Sequence, residues 1–153
     1  MSSTAFVLFF SALFNLTLHD TYKHSLHISA CPFPMDVVFA LDSSAASSTS
    51  DYNQQKNFVL TMINAFTISD TKTHVGVITV GEFARKDIEL REHTRPGALK
   101  ARVAGLPAKR DFPSDPTIRL SDMLLKTREV FRNGGRDGVN TCPFYVISVL
   151  NFI

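Results

Sequence analysis

Met35-Asp36-Val37-Val38-Phe39-Ala40-Leu41-Asp42 is followed at once by Ser43-Ser44-Ala45-Ala46-Ser47-Ser48. The first stretch is continuously apolar between its two aspartates and rich in β-branched and aromatic residues. That is the pattern of a strand buried on both faces of a parallel sheet. The polar stretch then breaks the strand. From Asp51 onward the period changes: Phe58, Met62 and Phe66 recur every four residues, with Val59 and Ile63 beside them and Gln54, Gln55, Lys56 and Asn57 near the start. A helix with one apolar face follows from that spacing.

The alternation continues outward. Thr73 to Val80 (THVGVITV) is a second strand, and Arg85 to Leu90 a half-exposed edge strand in which Ile88 and Leu90 alternate with Asp87 and Glu89. Pro96-Gly97 opens a short helix through Leu99 and Val103 that Gly105 and Pro107 end. Asp111 to Pro116 is a turn-rich loop. A longer helix is expected from about Thr117 to Arg132, stopped by Gly134-Gly135, and Phe144 to Leu150 is a last buried-type strand. Strands alternating with helices predict an α/β fold of three layers, a doubly wound and mainly parallel sheet with one antiparallel edge strand.

Composition narrows the function. The 153 residues suffice for one domain, and 44% hydrophobic with 20% charged residues supply one buried core. Sixteen basic and fourteen acidic side chains are interspersed, giving a formal charge of +2 and no block suited to nucleic acid. Arg85, Lys86, Arg91, Arg95, Lys100, Arg102, Lys109 and Arg110 make the middle modestly basic, but acidic residues interrupt them, as on a solvated surface. The loop after the first strand has no glycine, which removes the basis for a phosphate-cradling loop. His74 and His93 read as isolated, with no nucleophile in a recognisable setting, so no enzymatic triad is expected. His19, Asp20, His24 and His27 read as a polar connector rather than a metal cluster, since no rigid element holds them.

Residues 1–30 differ from the remainder. Ala5 to Leu18 (AFVLFFSALFNLTL) is apolar but short for a bilayer span, and a polar segment follows. This region reads as a secretory signal, with a signal anchor or another N-terminal extension as the alternatives, because no Lys or Arg precedes the run. A secreted, extracellular protein with no membrane span in its mature domain is the expectation.

From Cys31 to Ile153 the ordered pieces together resemble a von Willebrand factor type A domain of the matrix and adhesion type, matrilin-like and type VI collagen-like. MDVVFALD running into DSSAAS stands where that family has D-x-S-x-S, HVGVITV matches its second strand, PTIRLSDML its threonine before a helix, and FYVISVLNF the strand that leads into T-D-G. The resemblance implies an extracellular, non-enzymatic module that binds a matrix or cell-surface protein through a metal-ion-dependent adhesion site. Matched residue by residue, Asp42, Ser44 and Thr117 are its metal-site residues. Ala46 replaces the second serine and Asn151 the last aspartate, so the site is degenerate: magnesium favours near-octahedral oxygen coordination at about 2.0 to 2.1 Å, and a ligand and a charge are missing. The expected cofactor is none, or weakly bound Mg2+; Ser47 is a substitute hydroxyl if the loop shifts by one residue. In the alternative, Asp42, Ser44 and Thr117 serve only local hydrogen bonds.

Two further expectations come with the resemblance. The family adds further elements after the strand that here precedes Asn151, so the sheet is expected to be incomplete at its C-terminal side, leaving the Tyr145 to Val149 flank open to self-association. This second function is structural assembly through a sheet edge. Cys31 and Cys142 precede strands that are parallel neighbours in the family; there a disulfide is geometrically open, and two unpaired thiols are the alternative.

Overall fold

The computed structural model describes residues 6–9, 34–44, 47–81, 83–107, 120–136 and 145–149, of which 6–9, 120 and 145–149 are described by backbone alone. The elements are β1 (Phe6–Phe9), β2 (Asp36–Asp42), α1 (Thr49–Ala65), β3 (His74–Val80), β4 (Ala84–Ile88), α2 (Pro96–Ala104), α3 (Leu120–Gly134) and β5 (Tyr145–Val149). The strands form one sheet in the order β1-β5-β2-β3-β4. β2 runs parallel to β3 (Asp36 opposite His74, Asp42 opposite Val80) and to β5 (Val37 opposite Tyr145, Leu41 opposite Val149). Only β4 is antiparallel, with a register shift at Val77/Ile78. The mainly parallel sheet with one antiparallel edge strand is the architecture expected from the sequence.

The continuous apolar run of β2 has a direct explanation. Successive strand side chains point to opposite faces, so Val37, Phe39 and Leu41 enter one core cluster and Val38 and Ala40 the other. The first cluster adds Val75, Val77 and Ile88 from the sheet, Tyr52, Val59 and Ile63 from α1, and Leu99 and Val103 from α2. The second joins Ile78, Val80 and Leu90 to Met123 and Val130 of α3. Each such side chain contributes about 1.5–3 kcal/mol on burial, an upper range because unfolded chains already bury some apolar surface.

Helix contacts refine the sequence reading. The fully buried stripe of α1 is Tyr52, Gln55, Val59 and Ile63, while Phe58, Met62 and Phe66 are only partly buried at its border. The four-residue spacing found the helix but set its inner face slightly off centre. α1 also starts earlier than Asp51, because Ser48 caps it: Asp51 N donates to Ser48 Oγ at 3.1 Å and Ser48 N to Asp51 Oδ2 at 3.0 Å. On the other face Gly76 lets α3 approach, since a Cβ there would lie 3.1 Å from Val130 Cγ1. Gly134 closes α3 against Leu90.

One element was not foreseen. Phe6–Phe9, inside the apolar run read as a leader, is a strand paired in parallel with β5, Phe6 opposite Tyr145 and Phe9 opposite Ser148. The outer edge of β5, expected to be bare, is therefore occupied by β1.

Candidate functional site

Parallel pairing gives the sheet two unlike rims. At one, β2 ends on Asp42, β3 on Val80 and β5 on Val149, and α1 begins. Ligand loops of open α/β sheets gather at this carboxyl rim.

Asp42, Ser44 and Ser47 are all 1% exposed. Ser43 N donates to Val80 O at 2.8 Å, which ties the loop to the end of β3. Ser44 N donates to Asp42 Oδ1 at 2.8 Å, turning the chain tightly around its own carboxylate. Ser47 N donates to Ser44 O at 3.1 Å. Gln55, in the second turn of α1 and 3% exposed, completes the arrangement. Its Oε1 accepts from Asp42 N at 2.6 Å, and its Nε2 donates to Asp42 O at 3.2 Å and to Ser47 Oγ at 3.4 Å. The amide thus does for the last residue of β2 what a further strand would do.

Asp42, Ser44 and Ser47 lie in one buried loop. Thr117, Asn151, Ala46, Cys31 and Cys142 lie outside the described residues, as do His19, Asp20, His24 and His27. Sequence reasoning missed Gln55. Its signal was available: a glutamine at the interval that links Tyr52 to Val59 falls on the buried face and needs a polar partner. A carboxylate and a hydroxyl at a loop are a donor pair suited to a hard cation, but two oxygens are a minority of the six such an ion seeks. Among the described residues no group of three or more His, Cys, Asp or Glu side chains converges.

The opposite rim corrects a second reading. His74 is not isolated: at the start of β3, 2% exposed, its Nδ1 lies 3.2 Å from Oδ1 of the buried Asp36, though out of line for a hydrogen bond. Its Nε2 is 3.1 Å from Asp70 O. Arg136, just past α3, donates its backbone N–H to Asp36 Oδ2 at 2.9 Å, brings Nη2 within 3.3 Å of Asp36 Oδ1, and hydrogen-bonds Lys72 O through the same nitrogen. Burial first, and then the Arg136 charge, hold the His74 pKa below its ordinary value; the Asp36 carboxylate opposes them and is outweighed. No serine or cysteine nucleophile accompanies the pair among the contacts of the described residues. Arg85 pairs with the buried Asp87 carboxylate, and at the surface Lys86 pairs with Glu89 and Glu129, in keeping with a mixed-charge face.

The sequence profile of the von Willebrand factor type A domain matches residues 36–134, which takes in both rims and leaves β1 and β5 outside. Mouse collagen alpha-4(VI) chain is 32% identical over 131 residues, 74% of this chain and 6% of that protein. Rat von Willebrand factor is 30% identical over 83 residues (54% and 19%), and mouse matrilin-3 is 31% identical over 71 residues (46% and 15%). The chain therefore spans between 6% and 19% of these relatives' lengths. Among solved structures, proximal thread matrix protein 1 from the mussel byssus superposes with a TM-score of 0.64 at 16% identity, covering 76% of this chain and 30% of that one. Another structure of that protein, described as having a zinc-occupied adhesion motif, matches with the same score and identity. No helix among the described residues is long and apolar enough to cross a membrane. On the profile match and the sheet order together, this chain belongs to the von Willebrand factor type A domain family.

Proposed function

We propose that the chain is an extracellular, non-enzymatic protein-binding module that docks a matrix or cell-surface protein on the carboxyl rim of its sheet, through a degenerate adhesion site. The observation that carries this reading is the buried Asp42-Ser44 turn held by Gln55 at the end of β2. Its relatives, a collagen VI chain, a matrilin and von Willebrand factor, are matrix or secreted proteins, which supports the same assignment. β5 ends opposite Leu41, at the same rim as Asp42; Thr117 and Asn151 belong to the site in this reading by their match to the family pattern. With Ala46 and Asn151 in place of a hydroxyl and a carboxylate, Mg2+ is held weakly if at all, and docking rests mainly on the protein's own groups. Residues 1–30 act in this reading as an N-terminal extension whose Phe6–Phe9 strand joins the sheet of the 31–153 domain, or as a secretory leader whose removal bares that edge of β5; Cys31 and Cys142 form a disulfide pair or stay as two unpaired thiols.

The test is solid-phase binding to purified collagen, fibronectin and laminin, with and without chelator. Saturable binding to one of them, weakened about tenfold or more by Asp42→Ala and by Thr117→Ala but little by chelator, supports the reading. Binding to none of them, or binding indifferent to both substitutions, defeats it. The assembly reading, association through the β5 edge, needs that edge freed of β1, which is paired along it. It requires concentration-dependent oligomers in sedimentation that both rim substitutions leave intact.

A further inference from the structure

At the amino rim of the sheet a cavity of about 400 Å3 opens beside His74, lined also by Arg91, Arg136, Asp70, Thr71 and Thr94. Its electrostatics are lopsided. Arg136 has one anionic partner, the buried Asp36 behind it. Arg91, an exposed residue, has no ion-pair partner among the described residues, and its charge lowers the proton affinity of both His74 and Arg136. The two guanidiniums therefore act on one region of space. Such mutual repulsion is relieved when an anion lies between them. Asp70 is the one carboxylate on the lining, and it sits at the exposed margin while its backbone carbonyl meets His74.

Two further observations bear on the cavity. Arg136 Nη1 is a buried nitrogen without a hydrogen-bond partner. A buried donor in this condition calls for an acceptor. Arg91, one of the lining residues, is also the one non-glycine among the described residues with a positive φ, 68°, a backbone state that ordinary side chains adopt at a cost.

We propose that the cavity is a binding site for a tetrahedral oxyanion, a sulfate or phosphate group, gripped by the Arg91 and Arg136 guanidiniums with the Thr71 and Thr94 hydroxyls as further donors. Planar guanidiniums suit such oxygens because each presents paired N–H groups. The volume exceeds that of a bare ion, so an ester carrying the group, a sulfated sugar or a phosphomonoester, fits. This site is at the end of the sheet remote from Asp42 and is independent of how that rim is used.

The test is heteronuclear NMR titration of the full chain with inorganic sulfate, inorganic phosphate, glucosamine 6-sulfate and glucose 6-phosphate, at fixed ionic strength in chloride. Saturable shifts in the low-millimolar range or tighter, centred on Thr71, His74, Arg91 and Thr94, are expected, and the tighter ester identifies the source. Arg91→Gln should weaken binding about tenfold, one full charge-assisted contact. Arg136→Lys, which keeps a cation beside Asp36 while losing the paired geometry, should weaken it too. Absence of saturable shifts in the parent chain, or an unchanged affinity in Arg91→Gln, overturns the proposal.

Discussion

The Gln55 side-chain amide hydrogen-bonds both backbone polar groups of Asp42, accepting from its N–H at 2.6 Å and donating to its carbonyl at 3.2 Å. A helix residue thus finishes a strand, and the position of Asp42 depends on the docking of α1. Gln55→Leu keeps much of the side-chain volume and removes one buried hydrogen bond from each of the two Asp42 backbone groups. A loss of about 1–3 kcal/mol follows from two such bonds, read as a lower urea midpoint with unchanged slope. Gln55→Glu should be milder on the Asp42 N–H and lose the donor to the carbonyl.

Restoring the two missing oxygens tests the cation argument. Ala46→Ser with Asn151→Asp adds a hydroxyl and a carboxylate to the Asp42-Ser44-Thr117 set. Calorimetric titration with Mg2+ should then show binding about tenfold or more tighter than in the parent chain. Equal, weak heats in both proteins would remove the idea that these two positions are what degrades the site.

Stability should depend on pH through His74. Its folded pKa lies below the ordinary 6.5, so the unfolded chain takes up the proton first as the solution is acidified. The contribution is fully present above 6.5, is lost as pH falls from there toward the lowered folded value, and levels off below it. The groups facing the ring are Asp36, Arg136 and Arg91, with the Asp70 carbonyl on its other nitrogen. Thermal midpoints measured from pH 7.5 to 5 should fall, and His74→Gln should flatten that fall; identical slopes for the two proteins would contradict the assignment.

Gly134→Ala should destabilise the fold by about 1–3 kcal/mol, the usual range for overpacking. Its Cβ would lie 2.9 Å from both Cβ and the carbonyl oxygen of Leu90, and the backbone there has little room to yield. Gly97→Ala is the control, because nothing lies within 4 Å of the added carbon.

Much of this architecture was legible because burial on two faces writes itself into β2 and β3 as uninterrupted buried runs, while β4 is half-buried up to Ile88; the alternation of Ile88 and Leu90 set that edge strand too late, since it spans Ala84–Ile88. Helix ends followed from Gly105 and Gly134, and the start of α1 was misjudged because the Ser48–Asp51 cap lies within a serine-rich stretch with several candidate caps. The inner face of α1 was set too far toward its large apolar residues, since Gln55 is buried for its hydrogen bonds and apolar periodicity does not register that. His74 looked solitary for a related reason: its partners Asp36 and Arg136 are distant in sequence and meet only once β2, β3 and α3 are packed. The apolar run ending at Asp42 marks the strand-to-loop transition, and Asp42 and Ser44 are buried there; their proposed adhesion role comes from the family resemblance. Strand β1 was hidden because an apolar run near an amino terminus reads equally as a leader and as a strand.

The pairing of Phe6–Phe9 with β5 joins the first described element to the last. During synthesis Phe6–Phe9 leaves the ribosome long before Tyr145–Val149 exists, so this margin of the sheet closes only after β2, α1 and β3 have emerged. Contacts between strands so far apart in sequence form slowly, and until then both apolar stretches are available to chaperones or to other nascent chains.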